Sequence, residues 1–401
     1  MKNNDNWKLI ADKNKVKGYA LSVIQDPVEP NLVFLGTENG LWMSFDKGNT
    51  WTQFQNGFPS VSTMDLKIQE RESALIIGTF GRAIWVLDDL LSLREIASNR
   101  INQIITALPN NDAVQVKGLF IAPPGNIWTG FHTTFEGENR VFQKTKIPFY
   151  LNENPDSTTT VKAEIYNKQN NLINTVETKT LAKGLNYLIW KLDETSNTLP
   201  GAWLNDETRG IPVLPGDYKI VIKYKSSKDS SSIKIINDPR FSLNDEVDIK
   251  LYEYQKLADI QVGILSSILN QIDNKKKRVE NLKSMLKDTN TSNTIVDEAI
   301  ESILVSIDDL RNKGQTSKPK NRQVGAWQSF EVSPSSKLND VLNIAAARTT
   351  IPSIQDLKQL EQATSLINNY KLNVNAFIAN EWDLFLNTLK SNNIDWNENQ
   401  D

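Results

Sequence analysis

In a chain with no cysteine and one histidine, chemistry falls to the carboxylates, arginines, tyrosines and tryptophans. Thiolate nucleophiles, thiolate metal sites and disulfides are excluded. His132, in "GFHTTF", has no second histidine with which to build a metal centre, and it reads as an ordinary loop histidine. Three groupings have residue types worth weighing. Asp88 and Asp89 are adjacent carboxylates, read either as a metal or acid–base pair or as turn acceptors. Tyr19, Arg71 and Arg82 offer a phenol and two guanidiniums, residue types that could hold and attack a carboxylate-bearing glycoside together with a carboxylate. They form no visible constellation along the chain, and Arg82, after "GTFG", either faces a channel or covers apolar surface. Trp128, Phe131, Phe135 and Trp203 offer ring faces to a sugar or peptide, or fill an interface core. No catalytic residue, metal ligand or cofactor site is assigned from these groupings, and Arg82, Trp128 and Trp203 are the ligand-facing candidates.

The sharpest local pattern is "SFDKGNTW", residues 44–51, between two runs of alternating apolar residues. Every member has a local task. Asp46 accepts hydrogen bonds from the backbone of its own turn. Gly48 allows a positive φ, and Trp51 packs its ring back under the turn. Ser44, Asp46, Gly48, Thr50 and Trp51 are therefore read as a structural turn, the alternative being Asp46 as catalytic acid or calcium ligand.

The elements around that turn repeat. "LVFLGTENGLWMSFD" (32–46) aligns without gaps to "ALIIGTFGRAIWVLD" (74–88), an offset of 42 positions that sets Asp88 on Asp46. Trp7 and Trp51 are 44 apart and stand at equivalent places. A period of about 40–50 residues is that of one four-stranded propeller blade. Residues 1–95 thus read as about two blades of a partial propeller. A closed ring needs roughly four to eight. The unpaired face is expected to carry Val23, Leu32, Phe34 and Trp42, and to need either self-association or a chain bearing further blades.

Residues 96–144 read as a connector, and 145–236 as a β-sandwich. Ile165, Leu185, Leu188, Trp190, Tyr218, Ile220 and Ile222 alternate or run together, and "NKQNN" and "LPGD" form the turns. From 237 to 401 the apolar period becomes helical. Leu251, Tyr254, Leu257, Ala258, Val262, Leu265, Ile268, Leu269 and Ile272 mark a first helix, with Ser242 or Asn244 as its cap. Ile295, Ala299, Ile303, Leu304 and Ile307 mark a second, ending before Gly314. A short helix is expected near 336–348, and a last one from Ser353, with Asp356 as its start signal, to about Leu389. These would pack as an antiparallel bundle. The fold class is multidomain β plus α: partial propeller blades, an Ig-like sandwich and a C-terminal helical bundle.

Composition narrows the partners. The net charge of -3 gives no general attraction to nucleic acid or anionic membranes. The basic run "NKKKRVENLK" (274–283) has no interleaved aromatics and reads as a solvated helix face. No glycine-rich phosphate loop precedes a helix, and no run of eighteen apolar residues marks a membrane span. "MKNNDNWKLIADKNKVKG" has no apolar core of signal-peptide length.

"SFDKGNTW" resembles the Asp box, the bacterial neuraminidase repeat of sialidase-like and sortilin-like propellers. "GTENGLWMSFDKGNTW" followed by "GFPSVSTMDLKIQERESALIIGTFGRAIWVLDDLLSLRE" is similar to the end of large bacterial propeller proteins labelled glycosyl hydrolase or sortilin-like. In them an Ig-like domain and a helical tail follow the propeller. The resemblance implies an exported protein, periplasmic or extracellular, whose Asp boxes are structural turns on the blade rim, away from the central pocket. It implies a non-catalytic portion that mediates protein or glycan interaction. The alternatives it leaves are a glycoside hydrolase completed by further blades and a sortilin-like peptide receptor.

Overall fold

The computed structural model describes residues 9–115, 145–198, 210–237, 245–289, 293–315 and 332–396, apart from isolated positions, with the backbone of 2–3 and 6–7. Asp89, Trp128, Phe131, His132, Phe135, Trp203, Ser242 and Asn244 lie outside the described residues. The architecture is mixed β and α: several small, mostly antiparallel sheets, then helices. It separates into two compact units, one of sheets and one mainly of helices.

The sheet unit opens with a four-stranded meander of β1 (Ala20–Gln25), β2 (Val33–Thr37), β3 (Gly40–Ser44) and β4 (Thr52–Gln53). A three-stranded meander follows: β5 (Thr63–Gln69), β6 (Ala74–Thr79) and β7 (Ile84–Leu87). Period-two alternation gives each sheet two apolar faces. In the first, Val23, Leu35 and Trp42 stand in register on one face, and Ile24, Phe34 and Met43 on the other. In the second, the equivalent rows are Leu66–Ile77–Trp85 and Lys67–Ile76–Val86. The first strand of each sheet carries a bulge opposite the same glycine, at Ala20/Ser22 across from Gly36 and at Thr63/Asp65 across from Gly78. The sequence repeat is thus a repeat of structure, bulge included.

The two sheets share one core. Phe34, Leu41 and Met43 meet Leu66, Leu75 and Ile77, with Phe58 from the linker and Leu90, Leu93 and Ala97 from helix α1 (Leu90–Ala97). Each fully buried side chain of this size contributes about 1.5–3 kcal/mol. The expectation of a bare apolar face holds only for Val23, which is exposed; Leu32, Phe34 and Trp42 are buried. The reason is geometric. Leu32 and Phe34 join the core between the sheets, whereas Trp42 and Leu35 sit on the opposite face, beneath Ala11 and Val16.

A buried ion pair ties this core together. Asp26 accepts from Arg94 Nε at 3.0 and 3.1 Å and from Nη2 at 2.9 Å, and it also accepts the backbone N–H groups of Val28 and Glu29. Arg94 Nη1 donates to Ser73 Oγ at 3.0 Å. Asn31 donates its side-chain amide to the Ala97 carbonyl at the end of α1. One guanidinium therefore joins a turn of the first sheet, a turn of the second and the helix that follows.

The expected connector and sandwich share residues. β8 (Ile105–Ala107) pairs with β10 (Thr145–Leu151), which pairs with β13 (Gly184–Trp190). β9 (Ala113–Gln115) runs parallel to β15 (Ser227–Asn237), and that sheet continues through β14 (Gly216–Tyr224), β11 (Val161–Tyr166) and β12 (Leu172–Thr178). Strands at 105–107 and 113–115 thus belong to these sheets rather than to a linker. Trp190 is fully buried, packs edge-on to Tyr218 and donates Nε1–H to the Asp193 carbonyl.

In the helical unit, α2 (Asp245–Thr289), α3 (Thr294–Gly314), α4 (Pro334–Ala347) and α5 (Ile354–Phe377) surround one apolar core with α6 (Asp383–Ser391). Of the marker residues, Leu257 and Ile295 are exposed. The Ser353 and Asp356 capping box forms as expected. The last helix is interrupted: Ile378–Trp382 make a π-turn, which places Trp382 in the core against Phe385 and Trp396. The basic run lies on α2, where Lys276 pairs with Asp308 and Lys283 with Glu301. It bridges to α3, and is not a free patch.

The bulge glycines are open to test. A Cβ on Gly36 would lie 2.3 Å from Ser22 Oγ and 2.5 Å from the Thr63 carbonyl oxygen, whereas on Gly78 it would meet nothing closer than 3.6 Å. Gly36→Ala is expected to destabilise by roughly 1–3 kcal/mol, as overpacking does. Gly78→Ala should stay within about 0.5 kcal/mol. Urea unfolding of the two variants checks this, and equal effects would contradict it.

Candidate functional site

In a meander, successive turns fall at alternate ends of the sheet. The turns after β1 and β3 share one end, where Lys47 N–H donates to the Asn31 carbonyl at 3.0 Å. This end holds residues 44–51. Ser44 Oγ donates to Asp46 Oδ1 at 2.8 Å and accepts from Gly48 N–H at 2.7 Å. Thr50 N–H also reaches Asp46 Oδ1 at 2.8 Å, and Thr50 Oγ1–H reaches Oδ2 at 2.7 Å. Both carboxylate oxygens are therefore engaged inside the turn. Burial alone would raise the Asp46 pKa, but the bonds from Thr50 and Ser44 outweigh it and hold the carboxyl below its usual value. Gly48 sits at φ +85, and a Cβ there would come 2.8 Å from Ile10 Cβ. Trp51 Nε1–H donates to the Ile10 carbonyl at 2.8 Å. The five residues thus close a turn and fasten the preceding segment to it.

Asp88 does not repeat this arrangement. The ungapped alignment slips after the hairpin, because Gly36 pairs with Leu41 while Gly78 pairs with Ile84. The second hairpin has one extra residue. Trp85, not Ile84, stands where Trp42 stands, and Asp88 matches Phe45. The chain then enters α1 at Leu90, and the Asp88 carbonyl accepts from Asn111 Nδ2 at 2.7 Å.

The opposite end of both sheets is built from equivalent hairpins. Thr37 Oγ1 donates to the Gly40 carbonyl at 3.0 Å and Thr79 Oγ1 to the Ala83 carbonyl at 2.6 Å. A row of bonds crosses from one sheet to the other. Glu38 N–H donates to the Tyr19 carbonyl, Ser62 Oγ to the Glu38 carbonyl, and Phe80 N–H to the Ser62 carbonyl. The side chains of Tyr19, Glu38, Phe80 and Arg82 are exposed along this row. Two aromatic faces, a carboxylate and a guanidinium are thereby held on a hydrogen-bonded backbone. Such a set stacks on a sugar or side chain and orients it by charge. Arg82, one of the ligand-facing candidates of the sequence, is exposed here. Phe80 was not among those candidates, and Tyr19 was weighed only as a nucleophile; their signal is exposure at matching loops. Arg71 stands apart, paired with Glu72 at 2.6 Å.

Among the described residues no group of three or more His, Asp or Glu side chains is placed to hold a metal ion. No helix among them is long and apolar enough to cross a membrane.

Asp46→Ala is expected to lower stability by about 1–2 kcal/mol, on the scale of a lost cap. Because the folded pKa is lowered, this stabilisation is present above the ordinary carboxylate range and lost as pH falls through the folded value. The gap between wild type and Asp46→Asn in thermal melts should be widest at neutral pH and close in strong acid. A pH-independent gap would contradict the assignment. Against known proteins, the chain matches no protein-family model and no curated sequence, so the geometry alone carries a functional reading.

Proposed function

We propose that this chain is a non-catalytic portion of an exported Asp-box propeller protein, in which the exposed loop row binds a protein or glycan outside the cell. In this reading the two meanders are successive blades, the sheets of residues 105–237 are an Ig-like sandwich, and the helices are an accessory bundle. The observation that carries it is the division of labour between the two ends of the blades. The Ser44, Asp46 and Thr50 side chains spend their polar groups inside their own turn, while Tyr19, Glu38, Phe80 and Arg82 stand outward at the other end on hydrogen-bonded backbone. Binding residues held on loops by a firm scaffold are the usual arrangement.

The reading is tested by screening the whole chain on glycan and peptide arrays, then measuring the best ligand with variants. Tyr19→Ala combined with Phe80→Ala should weaken binding at least about tenfold, the loss expected of a hot-spot aromatic. Asp46→Ala should leave the affinity of the folded fraction unchanged. Binding indifferent to the loop variants would overturn the assignment. Hydrolysis of a sialoside by the chain, lost on Arg82→Ala, would replace it with an enzyme.

A further inference from the structure

The repeat in the sheet unit leaves exposed apolar positions on the two outward faces, Val23 on the first sheet and Ile84 and Val86 on the second. Three positions buried where the sheets stack have exposed counterparts, while Leu35 and Trp42, the counterparts of Ile77 and Trp85, are covered by Ala11 and Val16. Leu66 is 6% exposed, and Val23, its counterpart in the first sheet, is 61% exposed. Leu41 and Met43 are 0% and 8% exposed, whereas Ile84 and Val86, their counterparts in the second sheet, are 70% and 38% exposed. Among the described residues the second sheet has three strands where the first has four. Trp42 and Met43 pair with Gln53 and Thr52, but among the described residues no strand pairs with the outer edge of Trp85 and Val86.

The chain holds another segment of the fourth-strand type. "NWKLI" at 6–10 falls on "TWTQF" at 50–54, the stretch containing β4. Asn6–Trp7 is already extended, pairing with Lys2–Asn3. The segment after it, carrying Ala11 and Val16, lies on Trp42 as the linker carrying Phe58 lies on Trp85.

We propose that a second copy of this chain docks on the second sheet. Its Asn6–Trp7 segment adds to the free edge at Ile84–Leu87 as a fourth strand, and its Val23 face stacks on Ile84 and Val86. The contact repeats, between copies, the interface that each copy already contains between its own sheets. Edge addition supplies the backbone hydrogen bonds and the facing side chains set the register. The contact is head-to-tail, so association continues until a ring closes or a filament forms. Lys67 and Asp65 stand where Ile24 and Ser22 stand in the first sheet, which concentrates the apolar contact on β6 and β7. The proposal rests on the repeat and is independent of any ligand at the loop row.

Light scattering of the full chain across micromolar concentrations should give masses that are whole multiples of one chain. Two variants separate the ends: Ile84→Lys with Val86→Lys on one, and Val23→Lys on the other. All three positions are exposed in the single chain, so each variant should stay folded and monomeric, melting as wild type does at concentrations too low for association. Mixed together, the variants retain one good face each and should form dimers and nothing larger. A wild type monomeric throughout would overturn the proposal, as would association that survives either variant, or a mixture that stays monomeric.

Discussion

The sheet unit depends on one constraint: Arg94 must find Asp26 inside the protein. Two sheets that meet through apolar faces can slide or splay, because such contacts are non-directional. A guanidinium gripping a carboxylate through several bonds is directional. Here it also reaches Ser73, so its three donor positions fix the two turns and α1 in one arrangement. The Asp26 carboxylate in turn organises its own loop by accepting from Val28 and Glu29. Breaking such a pair leaves a buried charge without its partner, which is far more costly than the pair is stabilising. The ion pair therefore acts mainly as a specifier of how the sheets stack.

That fixed stacking explains the contrast between the two ends of the meanders. At one end the chain satisfies its own polar groups, and residues 44–51 become a closed knot onto which Ile10 and Trp51 are fastened. At the other, the backbone row from Tyr19 to Phe80 is satisfied while the side chains are left to solvent. A rigid backbone with unoccupied side chains suits recognition, since little ordering remains to be done on binding.

What was legible in the sequence was local or periodic. The 44–51 turn, the capping box at Ser353 and Asp356, the strand alternation around Trp190 and the helical stripe from Leu251 to Ile272 all follow from neighbours within a few residues. What escaped depends on contacts far apart in the chain. Asp26 and Arg94 are 68 positions apart, with no pattern linking them. The extra residue in the second hairpin hid behind a gapless alignment, because either register places an apolar residue opposite another. The strands at 105–107 and 113–115 are too short to show a period and exist because longer neighbours pair with them. The π-turn at Ile378–Trp382 likewise reflects the demand of the core for Trp382.

The most direct measurement is a double-mutant cycle at the ion pair, read by urea unfolding. Asp26→Ala and Arg94→Met should each destabilise the sheet unit by about 3–5 kcal/mol, because each strands a buried partner. The double variant should cost clearly less than the sum, with a coupling of about 1–3 kcal/mol. Single variants that cost under about 1 kcal/mol, or effects that simply add, would contradict the account and return the stacking of the sheets to apolar contact alone.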